Sequence, residues 1–178
     1  TYPVGPNAIG FLYTQPGQYV NTVVASGRSI EGVAVDPTNA DHAVAVVAGF
    51  SSVNQPHVYE TTNGGVSWTP LTNGLPNMPV YDVVVHDANT IVIGSELGIW
   101  SWDGSTWHEE NNGLPRVPVF RLIEKELYQE PCQVMYIGTH GRGLWRSTSL
   151  TAQGCSIAAG VEETVKENAI TDLSIFPN

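Results

Sequence analysis

Few residues of this 178-residue chain have the types and spacing that enzymatic chemistry requires. Hydrolysis of a glycosidic bond needs two carboxyl groups on one face, about 5 Å apart for retention of configuration or about 6.5–9.5 Å apart for inversion. We expect Asp82 in an inner strand and Glu96 in a turn at the open end of the fold, and they form the candidate catalytic pair. The ordinary alternative is that Glu96 is a turn residue without a function.

A second set of residues lies in predicted turns and links that share one face. Loops on a rigid scaffold can vary without unfolding it, and ligands commonly bind there. The ligand-binding candidates are Phe50, Asn54, Glu96, Arg116, His140 and Arg142. The alternative is that His140 and Arg142 are only solvated and that Arg116 pairs with a carboxylate of a neighbouring repeat.

No nucleophile, metal or phosphate motif accompanies these residues. The sequence has no Gly-x-Ser-x-Gly, no Cys/His metal-ligand spacing and no phosphate-binding loop. Calcium binding by Asn63 or Asp103 is disfavoured because too few oxygen ligands lie nearby in sequence. We therefore expect neither a cofactor nor a metal.

Composition disfavours two further classes of function. The chain has 17 acidic and 7 basic residues, a net charge of −10, whereas binding to a phosphate backbone needs clustered Lys and Arg. No run approaches the roughly 18 apolar residues of a membrane-spanning helix. We expect no nucleic-acid partner and no membrane span. The 18 glycines, 12 prolines and 13% charged residues instead favour many short strands joined by tight turns.

Comparison of the chain with itself reveals an internal repeat. Three segments recur, each displaced by 39 positions. They are 73-NGLP-76 with 112-NGLP-115, 79-PVY-81 with 118-PVF-120, and Trp68 with Trp107. A weaker third copy lies upstream, where 33-VAVD-36 takes the place of 83-VVVH-86. A period of about 40 with several β-rich runs per unit is typical of propeller blades or a similar array.

Each unit divides into strands A to D of an antiparallel meander. The predicted strands of the first unit are 31–35, 43–48, 57–61 and 67–71, and those of the second are 80–85, 91–94, 98–102 and 106–109. The last unit has strands at 119–124, 134–139 and 144–148 and no clear fourth strand. Turns of a meander alternate between two faces, so A–B and C–D turns share one face, and B–C turns and unit-to-unit links share the other.

The C–D turn carries the most specific motif, Thr61-x-Asn63-x-Gly65-x-x-Trp68. Its hydroxyl and amide suit hydrogen bonds to the turn backbone, its glycine suits a positive φ, and its indole suits burial beneath the turn. A shorter copy, Ser101-x-Asp103-Gly104-x-x-Trp107, predicts a degenerate turn. The motif resembles the Asp-box of the bacterial neuraminidase repeat family, and we interpret both copies as structural.

The region from about 29 to 148 resembles the Asp-box β-propellers, which include sialidases, sortilin-type receptor domains and xyloglucanase-like glycoside hydrolases. The resemblance rests on that motif, on the links 73-NGLPNMPV-80 and 112-NGLPRVPV-119, and on 138-GTHGRGLW-145. It implies an all-β fold, with residues 29–150 forming a fragment of about three four-stranded antiparallel blades. Three blades cannot close a ring, so it also implies missing blades N-terminal to Thr1, with residues 1–28 as the remnant of one. Sialidases bind the carboxylate of their substrate with three arginines. Arg116, Arg121 and Arg142 do not fall on the matching motif positions, so we do not assign that role to them.

The C-terminal part carries a different signal. Residues 151–170 are small, polar and partly acidic, which suits a linker. Residues 171–178 contain 173-LSIFPN-178, which resembles the first strand of the C-terminal sorting domain of type IX secretion in Bacteroidota. That resemblance implies export to the medium or the cell surface; the alternative is a short edge strand.

The two cysteines flank the last predicted hairpin. Cys132 and Cys155 could therefore form a disulfide, with two buried thiols as the alternative.

Together these features favour a non-catalytic module that binds glycan or protein on its loop face. The alternative is the C-terminal part of a polysaccharide-cleaving glycoside hydrolase, xyloglucanase-like or sialidase-like, whose catalytic acids lie mostly elsewhere. A purely structural spacer is the third possibility.

Overall fold

The computed structural model describes residues 27–50, 55–126 and 132–151. Asn54, Cys155, the remnant predicted before residue 27, the linker from residue 152 and the predicted sorting segment lie outside the described residues. Within the described ranges the chain forms eleven β-strands and no helix. None of the described residues belongs to a helix that could cross a membrane.

The strands form three consecutive antiparallel sheets. The first contains β1 (Ile30–Asp36), β2 (Asn39–Val47), β3 (Val58–Thr61) and β4 (Thr69–Pro70). The second contains β5 (Val80–Asp87), β6 (Thr90–Ser95), β7 (Gly98–Trp102) and β8 (Trp107–Glu109). The third contains β9 (Val119–Glu126), β10 (Gln133–Thr139) and β11 (Leu144–Ser147).

This order confirms the predicted meanders. In each sheet the strands pair with their neighbours in sequence, and the third sheet has no fourth strand among its described residues. The inner strand β5 contacts both β1 and β9, so the three sheets stand side by side with their first strands adjacent. The described part is therefore all-β, and its consecutive sheets are consistent with blades of a β-propeller fragment.

The hydrophobic core lies in two layers between the sheets. Val44, Val46 and Val58 of the first sheet pack against Val83 and Val85 of the second. The second layer joins the second and third sheets and contains Val92, Ile99, Leu122, Met135 and Ile137. Full burial of each such side chain contributes about 1.5–3 kcal/mol, so the packing between sheets makes a large contribution to the stability of the fold.

Hydrogen bonds between turns confirm the division into two faces. On one face, Gly64 N–H in the first C–D turn donates to the carbonyl of Asp41 beside the A–B turn (2.9 Å). On the other, Glu96 N–H donates to the carbonyl of Pro79 (3.0 Å) and His140 N–H to that of Pro118 (2.8 Å). We call this second face, formed by the B–C turns and the ends of the links, the open face.

The first residues of the link 73–79 depart from that division. Asn73 O accepts a hydrogen bond from Trp107 N–H (2.9 Å), and the Asn73 side chain donates to Ser105 O (2.8 Å). At Gly74, where φ is +82°, a Cβ would lie 2.5 Å from Thr106 Oγ1. The expectation that the whole link lies on the open face was wrong for these two residues, because β4 is only two residues long and the link begins near the C–D turns.

Candidate functional site

The inner strand of each sheet has an irregular register at its second residue. Glu31, Tyr81 and Phe120 follow the first residues of β1, β5 and β9, and the strand pairing skips each of them. A β-bulge of this kind breaks the alternation of side chains and can aim one residue away from the sheet. Three bulges at equivalent positions therefore give the open face a row of side chains outside the packed core.

Two of these side chains form an aromatic cluster with a turn residue. The rings of Tyr81 and Phe120 are 4.8 Å apart and nearly perpendicular (81°). The ring of His140 lies 5.5 Å from that of Phe120, inclined at 52°. Phe120 is 47% exposed although its neighbours Val119 and Leu122 are buried. The aromatic surface is thus held in place from beneath and open to solvent above.

Glu96 is attached to the same cluster. The Tyr81 hydroxyl donates to Glu96 Oε2 at 2.5 Å, joining the inner strand to the B–C turn of its own sheet. Burial raises the pKa of Tyr81 to about 12, with further contributions from the carboxylates of Glu96 and Glu31. The Tyr81 hydroxyl therefore keeps its proton well above the pH at which a free tyrosine loses it, and it remains the donor to Glu96. We call Glu31, Tyr81, Glu96, Phe120 and His140 the bulge cluster.

The turns that carry Glu96 and His140 are fixed by their backbone. Each donates its N–H to the proline that ends the preceding link, and these two prolines occupy equivalent positions of the repeat. In the second sheet the Ser95 hydroxyl also donates to Gly98 O (2.8 Å) and closes the turn. The polar side chains thus sit on short, braced turns.

Asp82 has a different environment from Glu96. It is buried, and its two oxygens accept hydrogen bonds from the backbone N–H groups of Val83 (3.0 Å) and Leu122 (2.8 Å). Arg121 of the third sheet lies 3.6 Å from the same carboxylate. These contacts point to a structural role, in which Asp82 joins the inner strands of the second and third sheets. The pairing of Asp82 with Glu96 as catalytic acids stays a prediction.

The remaining ligand candidates lie apart from these contacts. Phe50 is 73% exposed, and Arg142 is exposed in the last B–C turn. Arg116 forms a two-pronged ion pair with Glu109, with Nε to Oε1 at 2.7 Å and Nη2 to Oε2 at 2.5 Å. That pair corresponds to the alternative of an ion pair with a neighbouring repeat, since Glu109 belongs to the fourth strand of the second sheet.

A cavity lies beside the link that leaves the first sheet. This cavity of about 400 Å³ is lined by residues of the first sheet and its link, namely Gln55, Pro56, His57, Thr72, Leu75, Pro76 and Asn77. The His57 ring is buried there and its Nε2 is 2.8 Å from Asn77 Oδ1. Because His57 and Asn77 already bind each other, we place the candidate site at the bulge cluster.

The first C–D turn is closed by its own side chains. Thr61 Oγ1 accepts from Gly65 N–H (2.9 Å), and Asn63 Oδ1 accepts from Ser67 N–H (2.9 Å). Gly65 has a φ of +85°. These contacts satisfy the turn internally and leave it no evident ligand-binding group. Assignment of the turn to the Asp-box family stays a prediction.

In the second C–D turn the side chain of Asp103 accepts the hydrogen bonds of the turn backbone. Its Oδ1 accepts from the N–H groups of Ser105 and Thr106, both at 2.9 Å. Hydrogen bonds, led by that of Thr106, lower the pKa of Asp103 far below its usual range. Ser101 instead donates to Glu110 Oε1 (2.6 Å), so it does not cap the turn as Thr61 does.

Two further features bear on the chemistry of the described residues. Cys132 is disulfide-bonded, whereas Cys155, the other cysteine of the chain, lies outside the described residues. The described ranges contain no group of three or more His, Cys, Asp and Glu residues that could hold a metal ion.

Sequence reasoning missed the aromatic half of the cluster. Tyr81 and Phe120 were visible as matching positions of the repeat, but they marked the repeat rather than a site. The usable signal was an aromatic residue at the same place in two inner strands, directly after a proline-valine pair that ends a link.

Comparison with known proteins gives structural neighbours only. No protein-family model and no curated protein matches this chain. An ancestral GH74 enzyme is 21% identical with a TM-score of 0.47, and the match covers 71% of this chain and 20% of that one. YCF48 bound to a D1 peptide is 15% identical with a TM-score of 0.49, and the match covers 79% and 48%. The chain thus spans less than half the length of either neighbour.

Proposed function

We propose that this chain is a non-catalytic propeller module that binds a glycan on its open face. The observation that carries the proposal is the bulge cluster, in which Phe120 presents an exposed ring next to Tyr81 and His140. Backbone bulges at three equivalent positions hold the cluster outside the core. An exposed ring with two further rings and two carboxyl groups beside it offers a surface on which the ring of a ligand can stack.

The chemistry of the cluster suits a neutral polyhydroxylated ligand. The faces of aromatic rings carry partial negative charge and attract the weakly positive C–H groups of a sugar ring. Glu31 and Glu96 supply hydrogen-bond acceptors, and His140 adds a ring that can donate. Because the rim of the aromatic surface carries both donors and acceptors, it can accept hydrogen bonds from sugar hydroxyl groups and donate hydrogen bonds to them.

The same contacts argue against catalysis by the described residues. A general acid and a nucleophile must both be available to the substrate. The hydroxyl of Tyr81 already binds Glu96, and the backbone of two strands already binds Asp82. A hydrolase would need acids outside this pair, which is why we favour binding.

Affinity measurements with one pair of variants test the proposal. Isothermal titration against a panel of soluble neutral polysaccharides is expected to show binding that Phe120→Ala weakens by about two- to twelvefold, because loss of a stacked ring costs about 0.5–1.5 kcal/mol. Phe50→Ala is the matched control, since Phe50 is also exposed but lies outside the cluster. Equal affinities of the Phe120 and Phe50 variants, or silence across the panel, would overturn the proposal. Release of reducing ends in the same mixtures would favour the hydrolase alternative instead.

We further propose that the module is exported. The support is the segment 173-LSIFPN-178, with its resemblance to a type IX sorting strand. Fractionation of the native host is expected to find the protein at the cell surface or in the medium, and removal of residues 171–178 is expected to retain it inside the cell. Unchanged export after that deletion would contradict the assignment.

A further inference from the structure

The chain contains three Asn-Gly pairs, which are Asn63-Gly64, Asn73-Gly74 and Asn112-Gly113. In such a pair the backbone nitrogen of the glycine can attack the side-chain carbonyl carbon of the asparagine, because glycine has no Cβ to shield it. The new bond closes a succinimide ring, and the side-chain nitrogen leaves as ammonia with the proton of the glycine N–H. Water then opens the ring at either carbonyl and leaves an aspartyl or an isoaspartyl residue.

The first pair, in the C–D turn of the first sheet, is held at both of its reacting groups. Asn63 Oδ1 accepts a hydrogen bond from Ser67 N–H (2.9 Å), and Asn63 Nδ2 donates to Ser67 Oγ (2.8 Å). The attacking N–H, that of Gly64, donates to the carbonyl of Asp41 (2.9 Å). Ring closure would break these hydrogen bonds, so the folded turn opposes it.

The second pair, at the start of the link 73–79, is held by the next sheet. Asn73 Nδ2, the leaving nitrogen, donates to Ser105 O (2.8 Å), and Asn73 O accepts from Trp107 N–H (2.9 Å). The backbone of Gly74 is packed so closely that an added Cβ would lie 2.5 Å from Thr106 Oγ1. Neither the amide nor the glycine can move without breaking contacts with the second C–D turn.

The third pair has the same local sequence as the second but a different environment. The segment 112-NGLP-115 repeats 73-NGLP-76, and φ is +79° at Gly113 against +82° at Gly74. Asn112 and Gly113 are both exposed, and the Asn112 side chain has no hydrogen-bond partner among the described residues. The two segments therefore share their intrinsic chemistry and differ in restraint.

The residue before Asn112 makes the contacts that hold the start of this link. Asn111 Oδ1 accepts from Ile99 N–H (2.9 Å), and Asn111 Nδ2 donates to Leu97 O (2.6 Å). Since Asn111 ties the link to its own sheet, the amide of Asn112 can turn towards the following nitrogen without breaking a contact of the described fold.

We propose that Asn112 is a site of spontaneous deamidation, where water replaces ammonia, and that folding slows the same reaction at Asn63 and Asn73. A reaction that must first break one neutral hydrogen bond is slowed by about two- to twelvefold. The product carries a new negative charge, and its isoaspartyl form also routes the backbone through the side chain. This change falls in the link that ends at Pro118, whose carbonyl accepts the N–H of His140 at the open face.

Incubation of the full chain in mildly alkaline buffer, followed by peptide mass spectrometry, tests this proposal. The rate at each asparagine in the folded protein is divided by the rate at the same asparagine in urea, where neither NGLP segment is restrained. The quotient for Asn112 is expected to exceed that for Asn73 by about two- to twelvefold, and that for Asn63 by more, because Asn63 makes more hydrogen bonds. Asn112→Gln, whose longer side chain disfavours the five-membered ring, is expected to remove most of the isoaspartyl groups detected by enzymatic methylation.

A matched pair of variants tests the restraint by a second measurement. Asn112→Asp, which is the aspartyl product itself, is expected to leave the urea midpoint unchanged, because the side chain has no partner among the described residues. Asn73→Asp removes the donor to Ser105 O and is expected to lower the midpoint. Equal midpoints would show that this hydrogen bond does not hold Asn73.

Two results would overturn the proposal. Equal quotients at Asn73 and Asn112 would show that the fold does not distinguish the two NGLP segments. An Asn112 that reacts in urea but stays intact in the folded protein would show that its amide is restrained after all. Both rates come from the unmodified chain, so they decide the question even if a variant fails to fold.

Discussion

The variant Asp82→Ala tests whether the Asp82 carboxylate has a structural or a catalytic role. The side chain is buried and accepts two backbone hydrogen bonds, one of which comes from Leu122 in the next sheet. Hydrogen bonds to a charged acceptor contribute about 1.5–3 kcal/mol each, and truncation leaves both N–H groups without that acceptor. Allowing for water reaching the vacated space, we expect a loss of about 3 kcal/mol in the free energy of unfolding. For a chain of this length that lowers Tm by roughly 6–12 °C.

The assay is urea and thermal denaturation followed by tryptophan fluorescence, with Asp41→Ala as the control. Asp41 is an exposed carboxylate in the same protein, so its removal should change stability by less than about 0.5 kcal/mol. The result that would refute the reasoning is an Asp82→Ala variant as stable as Asp41→Ala. A stable variant that had also lost hydrolytic activity would restore Asp82 as a catalytic acid.

Three further perturbations follow from the geometry. Gly74→Ala should destabilise the protein by about 1–3 kcal/mol more than Gly49→Ala in chemical denaturation. Both glycines have positive φ, but only at position 74 would an added Cβ meet other atoms. Equal losses of stability in the two variants would show that steric contact is not the cause. Tyr81 should ionise near pH 12 in the 295 nm difference spectrum between wild type and Tyr81→Phe, and earlier in Glu96→Gln. The pKa of Tyr81 is higher in the folded protein than in the unfolded chain, so the contribution of Tyr81 to stability is complete below about pH 10 and is lost as the pH rises through 12. Ionisation of Tyr81 near pH 10 in the wild type would contradict this expectation. His42→Ala should cost about 1–3 kcal/mol in thermal denaturation, because it removes the buried ring that hydrogen-bonds the carboxyl groups of Asp36 (3.0 Å) and Glu60 (2.9 Å), and a loss below about 0.5 kcal/mol would mean that water replaces both contacts.

Local sequence was sufficient for the strands and their order. All eleven strands fall where alternating apolar runs and glycine-rich turns placed them, and the last unit lacks a fourth strand among its described residues. These features depend on residues a few positions apart, which is why the pattern in the sequence determines them. The repeat then assigned the turns to two faces, because an antiparallel meander must alternate its turns.

Matching of the two turn motifs did not predict the contacts of each side chain, because a difference of one residue in turn length changes which group a side chain meets. Ser101 was aligned with Thr61 by its residue type, yet it binds Glu110 and leaves its turn to Asp103. The second turn is shorter, so the same residue order places the hydroxyl differently. A sequence pattern does not reveal that shift, because it records types and spacing but not the direction in which a side chain leaves the backbone.

The bulge cluster was decided by the tertiary structure. Whether Tyr81 and Phe120 lie in the core or on the open face depends on an irregular pairing between strands, and the pairing depends on how neighbouring sheets pack. The role of Asp82 was decided in the same way, since its acceptor site faces a backbone N–H forty positions away at Leu122. The sequence by itself determined the repeat, the strands and the faces, all of which follow from short-range periodicity. Which side chains of the inner strands meet solvent, and which hold the sheets together, was fixed only when the sheets came into contact.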